Sequence, residues 1–449
     1  MAAFAARSFA VGEELCFVPG DAILTSAALV LQIPDAMPAS DDVLEAATSL
    51  EARLAGALLR EKQRGEASRF APYIASLPTW DELPSEHPLR WPESTDVDAL
   101  LDGSSHGRVL ATKALEAAHL RAMALLAAGF AVEESEGLWA LAIVETRCFS
   151  FRAGQPDMEL ALVPLLDILN TFAEADGYDD ELWQASFQPQ CAAEDGGVMI
   201  VEREIRAGQE IVHLYESNSS ARLWTTYGFL PDGPGENPFE GAGVEVELVR
   251  SSADDHCTQA KIDALIDAGV ELHEGRTLRF ELPGDAEVGG ALLPAARLLA
   301  CRDSEQVLRL APTILEQAEE DGSATPTNLG LQLELEARTL VQEWLEAAIQ
   351  RADDAAKRLD AELADADANP PKTSSAPLEL KKAARRLLQK ERPVLEFELR
   401  ATKDFCEQAR GLGYRPWEPL SDASLDTSEL VAAFVEERWD ECGGWMGAG

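Results

Sequence analysis

Two short segments hold the polar groups best suited to chemistry. The first, LVPLLDILNT (162–171), sets Asp167 in a proline-bounded apolar run that ends at Asn170 and Thr171. Polar groups on such a run must find hydrogen-bond partners when buried, so they either serve a ligand or cap a turn and satisfy local backbone. The second, EIVHLYESNSSARLWTTYGF (210–229), sets Tyr215 at the end of a strand and Tyr227 just before a Gly-Phe turn. Two tyrosines flanking a short polar helix could line a pocket, or could be ordinary core residues with satisfied hydroxyls. The seven cysteines, Cys16, Cys148, Cys191, Cys257, Cys301, Cys406 and Cys442, form no CxxC pair and are odd in number. Neither a zinc site nor a disulfide framework is expected from them, and a reducing compartment fits best.

The elements that must position these groups follow from periodicity. Between residues 4 and 30 short apolar runs alternate with turn residues, as strands do. From about 41 to 141 the chain changes to Ala/Leu-rich stretches such as DVLEAATSLEARLAGALLREKQR and ATKALEAAHLRAMALLAAGF, with apolar residues recurring at three and four. These are helices, interrupted where Pro78, Pro84 and Pro92 cannot continue them. Strand signals return in MELALVPLLDIL, GVMIVEREI and AGQEIVHLY, so the first half mixes α and β. After residue 240 the chain reads as almost wholly helical, with a polar, Pro/Ser-rich loop at 365–377.

Composition narrows the functions. The 449 residues are 46% hydrophobic, enough for buried cores and long enough for two domains. Acidic residues outnumber basic ones by 80 to 38, a net charge of −42. Such a surface repels nucleic-acid backbones and favours basic partners, although it also serves solubility alone. No segment reaches the roughly 18 apolar residues of a membrane span, and the opening MAAFAARSFAVGEE lacks the apolar stretch of a secretion signal.

Taken in order, RSFAVGEELCFVP, YIASLP, PLRW, LWALAIVETRCFSF, LVPLLDILNT, REIRAGQE with the Tyr215 to Phe229 segment, and LKKAARRLLQKERPVLEFEL resemble the SET-domain protein lysine methyltransferases. The likeness is to the subgroup typified by the plant Rubisco large-subunit methyltransferase. It implies an α+β fold: a SET-domain β-fold over 1–236, split by a helical insertion at about 41–141. An all-α substrate-binding domain is implied over 240–449. The activity implied is S-adenosylmethionine-dependent N-methylation of a lysine on a non-histone protein, without a metal. A histidine acceptor and a catalytically silent SET-like scaffold that binds a basic segment are the other outcomes. A monomer is implied, with no nucleic-acid or membrane partner, in cytoplasm or plastid, the nucleus being a third option; no transit peptide is visible.

The chemistry makes definite demands. A lysine amine, with a pKa of about 10.4 in water, must lose its proton and align its lone pair with the donor methyl. A dry aromatic channel does both, since desolvation lowers the amine's pKa and ring faces attract cations. By the resemblance, Tyr215 is the catalytic tyrosine, and Phe149, Tyr227 and Trp183 line the lysine channel. Asp167 and Arg147 sit beside peptide and cofactor, and Asn170 and Thr171 hold the cofactor's methionine end. Thr171 stands where the family has a histidine that acts through its backbone. A glycine-rich turn should precede Ala5, but Met1, Ala2 and Ala3 stand there. Their β-carbons would obstruct a close backbone approach, so the expectation is missing upstream sequence or weakened cofactor binding.

Overall fold

The computed structural model describes residues 3–34, 39–92, 94–151, 158–171, 185–189, 195–215, 218–231, 237, 239–248, 255–267, 270, 272–273, 277–283, 292–321, 331–368 and 376–411. In chain order these form β1 (Glu14–Val18), β2 (Leu24–Thr25), α1 (Asp41–Ala46), α2 (Leu50–Gln63), α3 (Ala71–Ile74), α4 (Val97–Leu100), α5 (Ser105–Ala127), α6 (Glu134–Arg147), β3 (Cys148–Phe151) and β4 (Glu159–Leu162). There follow β5 (Ala185–Pro189), β6 (Gly197–Val201), α7 (Ser220–Tyr227), β7 (Gly241–Glu247), α8 (Asp255–Asp267), β8 (Leu272–His273), β9 (Thr277–Pro283), α9 (Leu292–Ala300), α10 (Ser304–Asp321), α11 (Leu331–Ala368) and α12 (Ala376–Gly411).

The chain divides into two compact units, one of Met1–Thr95, Val109–Asn237 and Thr373–Leu380, the other of Asp96–Arg108, Pro238–Lys372 and Lys381–Gly449. In the first, two small antiparallel sheets, ordered β1-β6-β5 and β2-β4-β3, carry the β-fold. Helix α2 starts at Ser49, whose side chain accepts from the Ala52 amide at 3.2 Å, and ends with Arg60 and Lys62 near its negative dipole end. Its Leu54, Leu58 and Leu59 pack against Leu141 and Ile143 of α6 in a continuous core. That packing holds the end of α6, and hence Arg147 and strand β3, in place.

The segment AGQEIVHLY (207–215), read as a strand, and Ile205 before it pair through isolated bridges, among them Ile205 with Phe9, Glu210 with Phe4, and Val212 with Asn170. The amide of Ile211 also donates to the Ala3 carbonyl at 2.8 Å. The chain's first described residues therefore lie along the segment that leads to Tyr215.

The second unit is helical as expected but contains an addition. Strands β7, β9 and β8 form an antiparallel sheet, Val244 opposite Phe280 and Val246 opposite Leu278, in a stretch read as helical. The alternation in VEVE and LRFEL puts Val244, Val246, Leu278 and Phe280 into the core, a period-2 pattern whose partner strand lies more than 30 residues away in the chain. Trp344 of α11 stacks on Phe280 at 6.1 Å between ring centres. Among the described residues no helix is long and apolar enough to cross a membrane.

Candidate functional site

The site of the first unit is assembled by three elements. Strand β3 carries Phe149, paired in register with Ala161 of β4. The turn after β4 brings Asp167, Asn170 and Thr171. It opens at Leu165, whose φ of 75° is rare for a residue with a β-carbon, and such strain gathers where structure serves function. The third element is helix α7, which ends in Tyr227.

Helix α7 is capped at both ends. Ser219 accepts from the Arg222 amide at 3.3 Å, and Gly228 closes the helix at φ 77°. A β-carbon on Gly228 would come within 2.7 Å of the His87 β-carbon, so glycine is required for conformation and for space. The PLRW landmark explains that closeness: Trp91 packs against Trp224 at 5.4 Å, and both indole N–H groups donate to the Glu86 carbonyl, at 2.8 and 3.0 Å. His87 is fully buried, accepts from the Leu89 amide and meets the Thr226 carbonyl at 3.1 Å. Burial holds its pKa down at about 4, so it is a neutral wedge that seats the last turn of α7.

Three expected residues, Phe149, Tyr215 and Tyr227, gather into one row of rings with His213 and Phe229. Phe149 stacks on His213 at 5.7 Å, His213 contacts Tyr215 at 5.0 Å, Tyr215 stacks on Tyr227 at 4.7 Å, and Phe229 continues the row at 6.3 Å. The Tyr215 hydroxyl donates to the Leu169 carbonyl at 2.6 Å, and burial pushes its pKa up to about 12. It therefore keeps its proton at neutral pH, with oxygen lone pairs left to accept. Thr171 uses its side chain rather than its backbone alone: its hydroxyl oxygen accepts from the Tyr215 amide at 3.1 Å. Asn170 donates to Glu210 at 2.6 Å, while its carbonyl accepts from the His213 amide at 2.9 Å.

Beside the rings lies Asp167, its side chain 1% exposed. Arg147 donates to the Asp167 carbonyl at 3.0 Å and approaches its carboxylate at 3.5 Å, and the Tyr73 hydroxyl donates to Oδ2 at 2.9 Å. Oδ1 is buried with no hydrogen-bond partner among the described residues. Burial raises the carboxyl's pKa against the opposing pull of Arg147 and Tyr73.

Trp183 lies outside the described residues. Tyr73, Glu210 and His213 were not singled out in the sequence. Tyr73 sits in the YIASLP landmark, 94 residues from the carboxylate it serves, and His213 is one residue of an ordinary-looking strand. Among the described residues no cluster of three or more His, Cys, Asp or Glu could hold a metal ion.

No protein-family model matches the chain, and no curated protein matches it. Solved structures do. The chain is similar to the SET domain of LSMT bound to methyllysine and AdoHcy (TM-score 0.59, 18% identity, 96% of this chain and 92% of that one). It is similar to the same domain bound to lysine and AdoHcy (0.57, 18%, 100% and 90%). A third match is Rubisco LSMT bound to sinefungin and monomethyllysine (0.54, 17%, 96% and 92%). The chain has the SET fold with a helical C-terminal region.

Proposed function

We propose that this chain is a protein methyltransferase that moves a methyl group from S-adenosylmethionine to a lysine nitrogen of a protein. The carrying observation is the row Phe149, His213, Tyr215, Tyr227 with the Tyr215 hydroxyl anchored on the Leu169 carbonyl. The LSMT structures, bound to AdoHcy, sinefungin and lysines, support this reading.

The residues present fit such a donor. The buried Asp167 Oδ1 has no hydrogen-bond partner among the described residues, and Arg147 lies against the same residue, so charge and hydrogen-bonding capacity lie together beside an aromatic wall. Asn170, Thr171 and Arg147 would hold the donor, which supplies an electrophilic methyl on a sulfonium sulfur. Phe149 and Tyr227, with Trp183 by resemblance, exclude water and offer ring faces to a cation. A dry channel lowers the acceptor amine's pKa and frees its lone pair. Tyr215, held protonated and fixed, orients the transfer centre through its oxygen. The excess of acidic over basic residues, 80 to 38, favours a target with a basic segment.

Calorimetric titration with S-adenosylmethionine tests the donor, and mass spectrometry of proteins incubated with isotopically labelled methyl donor tests the acceptor. Tyr215→Phe is expected to cut transfer by roughly a hundredfold or more while leaving donor binding intact. An absence of saturable heat would sink the proposal. Thr171 favours a second reading, a silent SET-fold scaffold, because its hydroxyl is occupied in holding the Tyr215 amide. That scaffold would bind a basic peptide equally well with Tyr215 or Phe at the position.

A further inference from the structure

Tyr73 sits on α3, 94 residues before Asp167 in the chain, yet its hydroxyl is turned to the segment that carries the site. Its ring packs against the core that joins α2, α6 and Leu162 of β4, and a phenylalanine ring would pack there equally well. A hydroxyl beside such a core is unfavourable unless it is hydrogen-bonded, and this one donates to Asp167 Oδ2 at 2.9 Å. Burial first, and then the charge of Asp167, push its pKa well above the ordinary tyrosine value, so it stays a donor at every working pH. Arg147 reaches the same Oδ2 at 3.5 Å, its shorter bond of 3.0 Å going to the Asp167 carbonyl. Both side-chain contacts therefore fall on one oxygen, and the tyrosine makes the shorter of the two. The other oxygen, Oδ1, is buried with no hydrogen-bond partner among the described residues.

We propose that Tyr73 is a positioning residue of the acceptor site: its bond to Oδ2 fixes the Asp167 carboxylate, and Oδ1 is left to accept from an N–H of the bound lysine. The inference rests on the reading of this site as one that takes a lysine. An ionised carboxylate only accepts hydrogen bonds, through two oxygens. Without an anchor it turns about its Cβ–Cγ bond, and a ligand must halt that rotation in order to bind. Anchored at Oδ2, it meets the ligand with Oδ1 already fixed, and preorganisation of this kind strengthens binding. The anchor acts on the charge as well. A hydrogen bond to the ionised form favours that form, so the Tyr73 hydroxyl, with Arg147, works against the burial that raises the Asp167 pKa. Loss of the hydroxyl thus frees the rotation and lets the carboxyl keep its proton to a higher pH. The groups that face Asp167 are Tyr73 from α3, Arg147 from α6 and Tyr215 ahead of α7. None of the three changes charge in acid, which leaves Asp167 as the titrating member of the group.

The test is a calorimetric titration of the full chain, saturated with S-adenosylhomocysteine, with free lysine from neutral into acid pH. It compares wild type, Tyr73→Phe, Asp167→Asn and the double variant. Free lysine keeps its side-chain charge in this range, so the fall of affinity in acid reports on the protein. Tyr73→Phe retains the ring and should bind lysine roughly tenfold more weakly, the size of one hydrogen bond to a charged group, with the acid fall moved to higher pH. Its affinity for S-adenosylhomocysteine should be unchanged, and in the Asp167→Asn background the substitution should add no further loss. Tyr73→Leu, smaller and also without the hydroxyl, should show the same displaced acid fall, so the test stands if one variant folds poorly. A merely structural tyrosine would weaken both ligands together, add its loss to that of Asp167→Asn and leave the acid fall in place. Any of these in a folded variant overturns the inference and leaves the proposed function standing. Wild type that binds S-adenosylhomocysteine but not lysine also overturns it, with the donor half of the reading intact. If S-adenosylhomocysteine itself does not bind, the reading of the site falls and this inference falls with it.

Discussion

Each unit buries a carboxylate beside arginine, and the two carboxylates are completed in opposite ways. In the helical unit Glu334 is fully buried, as is Arg297, whose Nε and Nη2 donate to it at 2.8 and 3.2 Å. Arg338 adds a third bond at 2.7 Å and lies under the Phe405 ring at 4.0 Å. In the first unit Asp167 has one arginine at 3.5 Å, one tyrosine hydroxyl, and an oxygen with no partner among the described residues. Burial alone would raise both acids. Arg338 and Arg297 outweigh it at Glu334 and hold that carboxyl below the usual range, whereas Arg147 and Tyr73 do not at Asp167, which stays raised. A carboxylate saturated by two guanidiniums has no capacity left for a ligand and serves architecture. One that is short of partners retains capacity, at a cost in stability, and serves binding.

The largest expected effect breaks the saturated member. Glu334→Gln leaves two guanidiniums without their counter-charge and should cost about 3–5 kcal/mol in denaturant unfolding; a loss under about 1 kcal/mol would put the two carboxylates in one class. Asp167→Asn should differ in kind. Its unfolding free energy should stay within about 1 kcal/mol of wild type, because a charge lacking full compensation is removed, while lysine binding or methyl transfer falls roughly tenfold. Equal losses of stability and activity would mean that Asp167 is structural as well.

The smallest effect is a pair of opposed pH slopes. Asp167 has a folded pKa above its ordinary value of 3.8. The folded chain therefore holds the proton longer, and this group makes stability fall as pH rises from there through the raised pKa. Glu334 has a folded pKa below its ordinary value of 4.5. Its contribution is complete above that pH and is lost as pH falls through the lowered pKa. Unfolding free energies measured across acid pH, wild type minus each glutamine or asparagine variant, should slope in opposite directions. Parallel difference curves would contradict the distinction.

Much of this was legible along the chain. Helices α1, α2 and α5 follow from apolar spacing, whereas α3 falls in a stretch read as a connection and α6 runs on to Arg147, past the expected end of the helical insertion at about 141; α7 was expected as a short polar helix near Tyr215 and Tyr227. Tyr215, Tyr227, Phe149, Asp167, Asn170 and Thr171 carried the resemblance to SET enzymes, and all six lie in the unit that holds the row of rings. Strands β7 and β9 were missed because VEVE and LRFEL are too short to outweigh the helical stretches around them. Tyr73 was passed over because its hydroxyl has no meaning until the fold brings it to Asp167.

The sequence by itself determined the classes of element and the inventory of chemistry, because periodicity and residue type are local properties. It held the aromatic and carboxylate groups, the acidic excess and the glycine that closes α7. Only the tertiary structure decided which of these groups share a site and which are saturated. Whether Asp167 Oδ1 lacks a partner among the described residues, whether Glu334 has its full set, and whether His213 stands in a wall of rings depend on contacts between residues far apart in the chain. Hydrogen bonds and burial at those contacts, rather than the residue types, separate a structural acid from a binding one.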